Sequence, residues 1–149
     1  MIRDAGTTFS SAQAVTANAV STNSWDTRAT SRFGIGNPLY VIVQCTVQME
    51  DSGNNSNCTV YLQSSANANM ASATNMQTLG VFATNTTVGT ILGTYGVHIN
   101  PAALNNRYIA LYYSMGGGDL TAGSFTAFVT PDPQAWVAYA KGFTGPTVV

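Results

Sequence analysis

The clearest hydrophobic pattern in the chain runs from Pro38 to Met49, PLYVIVQCTVQM. Leu39, Val41, Val43, Cys45, Val47 and Met49 recur at every second residue, which places them on one face of an extended strand. The opposite face begins apolar, at Tyr40 and Ile42, and turns polar at Gln44, Thr46 and Gln48. The spacing predicts a strand whose odd-numbered face is core throughout and whose beginning is buried on both sides. Tyr40 and Ile42 therefore need a cover, either from the chain's own N-terminal segment or from a second subunit.

Similar alternation marks further strands. In Cys58 to Ser65, Cys58, Val60 and Leu62 face in while Thr59, Tyr61 and Gln63 face out. In Arg107 to Met115, Ile109, Leu111, Tyr113 and Met115 form the core face and Tyr108, Ala110 and Tyr112 the other. Ser124 to Thr130 sets Phe125, Ala127 and Val129 against Phe128, and Pro131 stops it because proline cannot donate to a ladder. Leu79 to Ala83, Thr86 to Leu92, Tyr95 to Pro101 and Trp136 to Phe143 are shorter or weaker candidates. Ser11 to Asp26 reads as one or two short strands that bury Val15, Val20 and Trp25. Residues 1–10 read as an arm, and 144–149 as a tail. Thr27 to Pro38 is a loop, and Ala66 to Thr78 a polar connection with room for one helical turn near Met70. The sum is about eight strands at roughly 8–12-residue spacing with no helical stripe, an all-β sandwich or barrel. The longer connections favour Greek-key or jelly-roll wiring over an up-and-down barrel. With no internal repeat or linker, residues 1–149 are expected to form a single domain.

Composition narrows the function more than the fold. Only 7% of the 149 residues are charged, against about 25% in an average soluble domain. The basic residues are scattered, which argues against nucleic-acid binding and electrostatic membrane anchoring, since both need clustered Lys and Arg. A hydrophobic content of 45% and a net charge of −1 do not describe a disordered chain. No stretch approaches the roughly 18 apolar residues of a membrane helix. The opening MIRDAGTTFSSAQ lacks the apolar core of a secretory signal, so the expectation is a whole chain folded in a cytoplasm. A near-neutral surface does little to oppose self-association.

Candidate chemistry is sparse. If the polar run Asp51 to Asn57 is a hairpin loop, Cys45 faces Leu62 and Met49 faces Cys58. The two thiols then lie on the order of 13 Å apart along the sheet, beyond the roughly 7 Å Cα limit of a disulfide. Two free, inward thiols are expected; a tighter turn at Asp51-Ser52 would instead pair them. The histidine, His98, falls on the less buried face with no ligand cluster near it in sequence, and no metal or cofactor is expected. No serine sits in a nucleophile elbow. Asp51 to Asn57 superficially resembles a calcium loop, but Leu62 stands where the twelfth-position glutamate should be, and an Asn/Gly loop is the simpler reading. No catalytic residue is assigned, and the chain is not expected to be an enzyme. The aromatic residues off the main core face, Tyr40, Tyr61, Tyr108 and Tyr112, admit three readings: a second covering layer, a protein interface, or sugar binding.

Several ordered segments carry a family resemblance. SAQAVTANAVSTN, GNPLYVIVQCTV, NNRYIALYYS, TAGSFTAFVTPDPQAW and YAKGF resemble, in the same order from Ser11 to Phe143, a family of tailed-phage capsid cement proteins. Residues 66–94 share only length and polarity with it. The resemblance implies a jelly-roll sandwich, dimers or other small oligomers on the outside of a shell, and no enzymatic activity. It also implies a virion protein assembled in a bacterial cytoplasm, with the major capsid protein as partner. On that reading the candidate contact residues are Tyr40, Ile42, Tyr108 and Tyr112, with Ile2 and Phe9 from the arm and Phe143 near the tail. The alternative is a carbohydrate-binding sandwich, such as a phage adhesion module, using Tyr61, Tyr108 and Tyr112.

Overall fold

A computed structural model describes residues 5–27, 39–97 and 106–131. Among the described residues a 3-10 turn, Ala5–Thr7, leads into nine strands: β1 Thr8–Ala14, β2 Ala19–Val20, β3 Trp25–Asp26, β4 Leu39–Glu50, β5 Asn57–Ser65, β6 Thr74–Phe82, β7 Ile91–Val97, β8 Tyr108–Gly116 and β9 Ala122–Thr130. They form two antiparallel sheets. The first has the order β1-β9-β4-β7 and the second β2-β8-β5-β6, with β3 also on β8. β5 and β6 are neighbours in both chain and sheet, whereas β1 to β2, β3 to β4, β4 to β5, β6 to β7, β7 to β8 and β8 to β9 each cross between sheets. This is jelly-roll wiring.

The strand count reconciles with the sequence pattern at the edge of the second sheet. β2 pairs Ala19 with Tyr113 and β3 pairs Trp25 with Ile109, so both lie along the same side of β8. Residues 21–24 bulge out between them, and Ser21 still donates its backbone N–H to Leu111 O at 2.8 Å. The two pieces are one interrupted edge strand.

The core fills the space between the sheets with the side chains that the alternation placed inward. Val41, Val43, Cys45 and Met49 of β4 meet Cys58, Val60 and Leu62 of β5, all buried. Phe125 stacks on Phe82 and Tyr113, tying β9 to β6 and β8. The Tyr113 hydroxyl donates to Ser10 Oγ at 2.9 Å, which satisfies a phenol that burial would otherwise penalise. Burial also pushes the Tyr113 pKa up, so the hydroxyl keeps its proton.

Several expectations are corrected. The run Asp51 to Asn57 is a corner and not a hairpin: β4 pairs with β9 and β7, while β5 pairs with β6 and β8. Turn residues look alike in both roles, because both need a tight reversal rich in Asp, Asn and Gly. Cys45 and Cys58 are free and buried as expected, but they belong to facing sheets and not to one hairpin. Desolvation pushes both thiols up, Cys58 to about 12, so neither is a reactive thiolate. Val47 leaves the core face and is 46% exposed. The β4–β9 register slips between Cys45 and Val47, and the inserted residue reverses which way Val47 points before Met49 returns inward. β6 begins at Thr74, inside the stretch read as a polar connection, and residues 66–73 form turns that bury Met70 without a helical turn. The two weak candidates spanning Thr86 to Pro101 are represented by β7 alone among the described residues. The strand expected at Trp136 to Phe143 and the tail lie outside those residues.

Candidate functional site

Flat patches of aromatic and neutral polar side chains form when a strand's outer residues align across neighbouring strands. On the outer face of the second sheet, β5 and β8 bring Tyr61 directly opposite Tyr112. Val20 of β2 lies opposite Tyr112, and Thr78 of β6 opposite Tyr61. The result is a transverse row, Val20, Tyr112, Tyr61 and Thr78, across the width of the sheet. A parallel row places Ser114, Thr59 and Val81 in register, with Val81 53% exposed. Tyr61 and Tyr112 are half-buried. A cross-strand aromatic pair of this kind presents a wide contact area with little rotamer freedom to lose.

The patch is electrically quiet. No Asp, Glu, Lys or Arg occurs between Asp51 and Arg107, so β5, β6 and β7 carry no formal charge. Two charges border the patch, and they neutralise each other: Arg107 Nε and Nη2 donate to the Asp26 carboxylate at 2.9 and 2.6 Å. The paired carboxylate raises the Arg107 pKa further. The guanidinium also sits 5.2 Å from the Tyr108 ring centre, fixing that ring at the end of the patch.

The sequence-selected contact residues do not form one site. Tyr112 and Tyr108 lie on this face, joined by Tyr61. Tyr40 lies on the other sheet, opposite Thr130 and Gly96. Ile42 has no exposed surface and pairs with the buried Phe128, outside the inter-sheet core, so its cover comes from within the chain. Phe9 is 2% exposed and belongs to the core, because β1 begins at Thr8 and pairs with β9. Neither Ile42 nor Phe9 presents surface to a partner. Ile2, Phe143 and His98 lie outside the described residues. Sequence reasoning misses Val47 and Val88, both exposed. Residues 86–90 run alongside β4, with Cys45 N on Thr90 O at 2.9 Å and Met49 N on Thr86 O at 3.1 Å. No local pattern reports that adjacency.

The Asp51 corner is built by its own carboxylate. Asp51 accepts from the backbone N–H of Gly53 at 3.2 Å and of Asn55 and Ser56 at 3.1 Å, and from Ser56 Oγ at 2.9 Å. Oxygens ringed by N–H and O–H donors suit an anion's own capping role and not a cation. Among the described residues no three His, Cys, Asp or Glu side chains gather as a metal site. These donors hold the Asp51 pKa below its ordinary value, the Asn55 N–H contributing most. The sign of the pH dependence follows. The contribution is fully present above the ordinary value of 3.8 and is lost as pH falls through the lower folded value. Asp51→Asn should therefore lower the melting temperature at neutral pH, and the gap from the parent should close in acid. Thermal melts at about pH 7 and about pH 2 test this; an equal gap at both would contradict it.

The family model described as Bbp16 matches residues 9–129. No curated protein matches the chain.

Proposed function

Because the chain belongs to the Bbp16 family, a family with a phage-type name, we propose that it is a capsid cement protein of a tailed phage. In this reading it binds the outside of the shell and bridges neighbouring copies of the major capsid protein, itself associating as a dimer or other small oligomer. It is assembled in the bacterial cytoplasm, and the role is structural and not enzymatic. The family match over residues 9–129 carries the proposal, and the ordered resemblance of segments from Ser11 to Phe143 supports it. Jelly rolls build viral capsid domains among others, so the wiring agrees without deciding.

The Tyr61–Tyr112 face is the shell-contacting surface in this proposal. Its uncharged rows call for apolar burial and neutral hydrogen bonds, and such contacts are little screened by salt. On a symmetric shell many modest contacts act together at high effective concentration. The test is cosedimentation with empty shells of the corresponding phage. The protein should pellet with shells at low and high salt alike, and the folded double variant Tyr61→Ala/Tyr112→Ala should bind at least about tenfold more weakly. Absence of binding removes the cement reading. Release by salt, or full binding by the double variant, removes this face as the contact.

A further inference from the structure

We propose that Tyr61 and Tyr112 form an oxidative modification site, at which a peroxide-driven one-electron oxidant joins the two phenol rings into a dityrosine that ties β5 to β8. The two residues are Cα partners in the antiparallel β5–β8 pair, so both side chains leave the same face of the sheet. Directly opposite residues hold their Cβ atoms about 4.5–5.5 Å apart, within the span of two phenol rings joined at the carbons beside their oxygens. Both residues are half-buried, which leaves part of each side chain open to an oxidant. Among the described residues no other tyrosine is paired with a tyrosine across strands.

The neighbours direct the oxidation to this pair. On the same face, Val20 and Thr78 flank it across the sheet, Thr59 and Gln63 along β5, and Ala110 and Ser114 along β8. Aliphatic, hydroxyl and amide side chains do not give an electron to a phenoxyl radical, whereas thiols and other phenols do. Both thiols are buried. Tyr113 is buried on the opposite face of β8, with its hydroxyl on Ser10. Tyr108 lies four residues along β8 from Tyr112, on the order of 13 Å away at strand rise. Met76, 38% exposed, takes up oxygen in a separate two-electron reaction. A radical formed on either ring therefore has the other ring as its partner.

Each phenol gives one electron to the oxidant and its hydroxyl proton to water, leaving two phenoxyl radicals. Their unpaired electrons form one C–C bond between the ring carbons beside the oxygens. The hydrogens on those two carbons then move to the oxygens and restore both phenols. Two hydrogen atoms have left the protein, and one hydrogen peroxide has been reduced to two waters. With the rings held on adjacent strands the coupling is intramolecular, and it outpaces encounters between dilute molecules. The new bond closes the chain between residues 61 and 112, which restricts the unfolded state as other covalent loops do. The reaction takes place in the free protein, so its test stands or falls independently of shell binding.

The test treats dilute full-length protein with hydrogen peroxide and a haem peroxidase, and reads dityrosine emission, denaturing gels and peptide mass spectra together. The product should run as a single chain and yield the tryptic fragment Phe33–Arg107 joined to Tyr108–Lys141, with fragment ions placing the bond at Tyr61 and Tyr112. Tyr61→Phe and Tyr112→Phe, which keep the ring, should each lower the yield by about tenfold or more, and Tyr108→Phe should leave it unchanged. The cross-linked chain should unfold at a higher urea concentration than before treatment, a rise that Tyr61→Phe treated alike should not show. No dityrosine, cross-links found only between chains, a bond placed on other tyrosines, a yield retained in Tyr61→Phe or Tyr112→Phe, or an unraised urea midpoint would each overturn the proposal.

Discussion

Replacing Phe125 with alanine should destabilise the protein by about 3–5 kcal/mol, the cost of deleting a fully buried aromatic ring. Phe125 has no exposed surface. Its ring centre lies 4.9 Å from that of Phe82, at an interplanar angle of 25°, and 5.3 Å from that of Tyr113, at 13°. Those partners come from β6 and β8 in the opposite sheet, so the three rings join the halves of the sandwich. Stacked pairs contribute about 0.5–1.5 kcal/mol beyond the area they bury. β9 is buried along nearly its whole length, so packed side chains surround the space, which puts the cost toward the upper end. Since whole domains are stable by only about 5–15 kcal/mol, the variant should sit near its unfolding threshold. Equilibrium urea unfolding measures it. A loss below about 2 kcal/mol would mean that the sheets collapse into the space and that the three-ring stack does not join them as argued.

Gly117→Ala should cost roughly 2–4 kcal/mol, from two effects in one residue. Gly117 has φ +86°, a conformation that L side chains rarely adopt. A Cβ placed there would also stand 2.2 Å from the backbone oxygen of Asn55. That oxygen cannot easily withdraw. Asp51 holds the Asn55 and Ser56 N–H groups on one side, and the Thr84 hydroxyl donates to Ser56 O on the other. Gly89 is the internal control: its φ is +89°, yet a Cβ added to it would meet nothing within 4 Å. Gly89→Ala should therefore cost only about 1 kcal/mol, the conformational share alone. Urea unfolding of the pair separates contact from conformation. Equal losses would show that the Asp51 corner yields to the β8–β9 turn.

What is legible in the sequence follows from where each strand sits. β4 and β9 are inner strands of the first sheet, β5 and β8 of the second. Their inward side chains meet the core along most of their length, so period-two alternation is strong and the faces of Tyr61, Tyr112 and Phe128 are readable. Edge strands have one neighbour and a wetter outer side. β6 opens with Thr74, Asn75, Met76, Gln77 and Thr78, which carry no apolar alternation because little of that stretch is buried. β1 offers one large apolar residue, Phe9, in TFSSAQA. That is too little to distinguish a strand from an arm, and so the pattern puts Phe9 at an interface instead of in the core. Bulges are invisible to a periodic reading: the slip after Cys45 exposes Val47, and another in β6 turns both Leu79 and Phe82 inward. Non-local adjacency is not written in the pattern at all. Tyr61 facing outward is readable, Tyr61 beside Tyr112 is not, and neither is Asn23 beside Thr8 and Phe9.

The absence of charge between Asp51 and Arg107 also determines how this protein can be probed. Trypsin cuts after Lys and Arg, and the basic residue before Arg107 is Arg32. A single tryptic fragment therefore runs from Phe33 to Arg107 and contains all of β4, β5, β6 and β7. Amine-directed cross-linkers find Lys141 as the chain's lysine and nothing on those strands. A partner seated on the Tyr61–Tyr112 face would thus meet no lysine on those strands to cross-link, and Arg107, at the border of the patch, is the tryptic site placed to report it. Chymotrypsin, which cuts at Tyr and Phe, or radical footprinting of tyrosine and methionine, reads that surface directly. Protection of Tyr61, Met76 and Tyr112 is where an assembled shell would register.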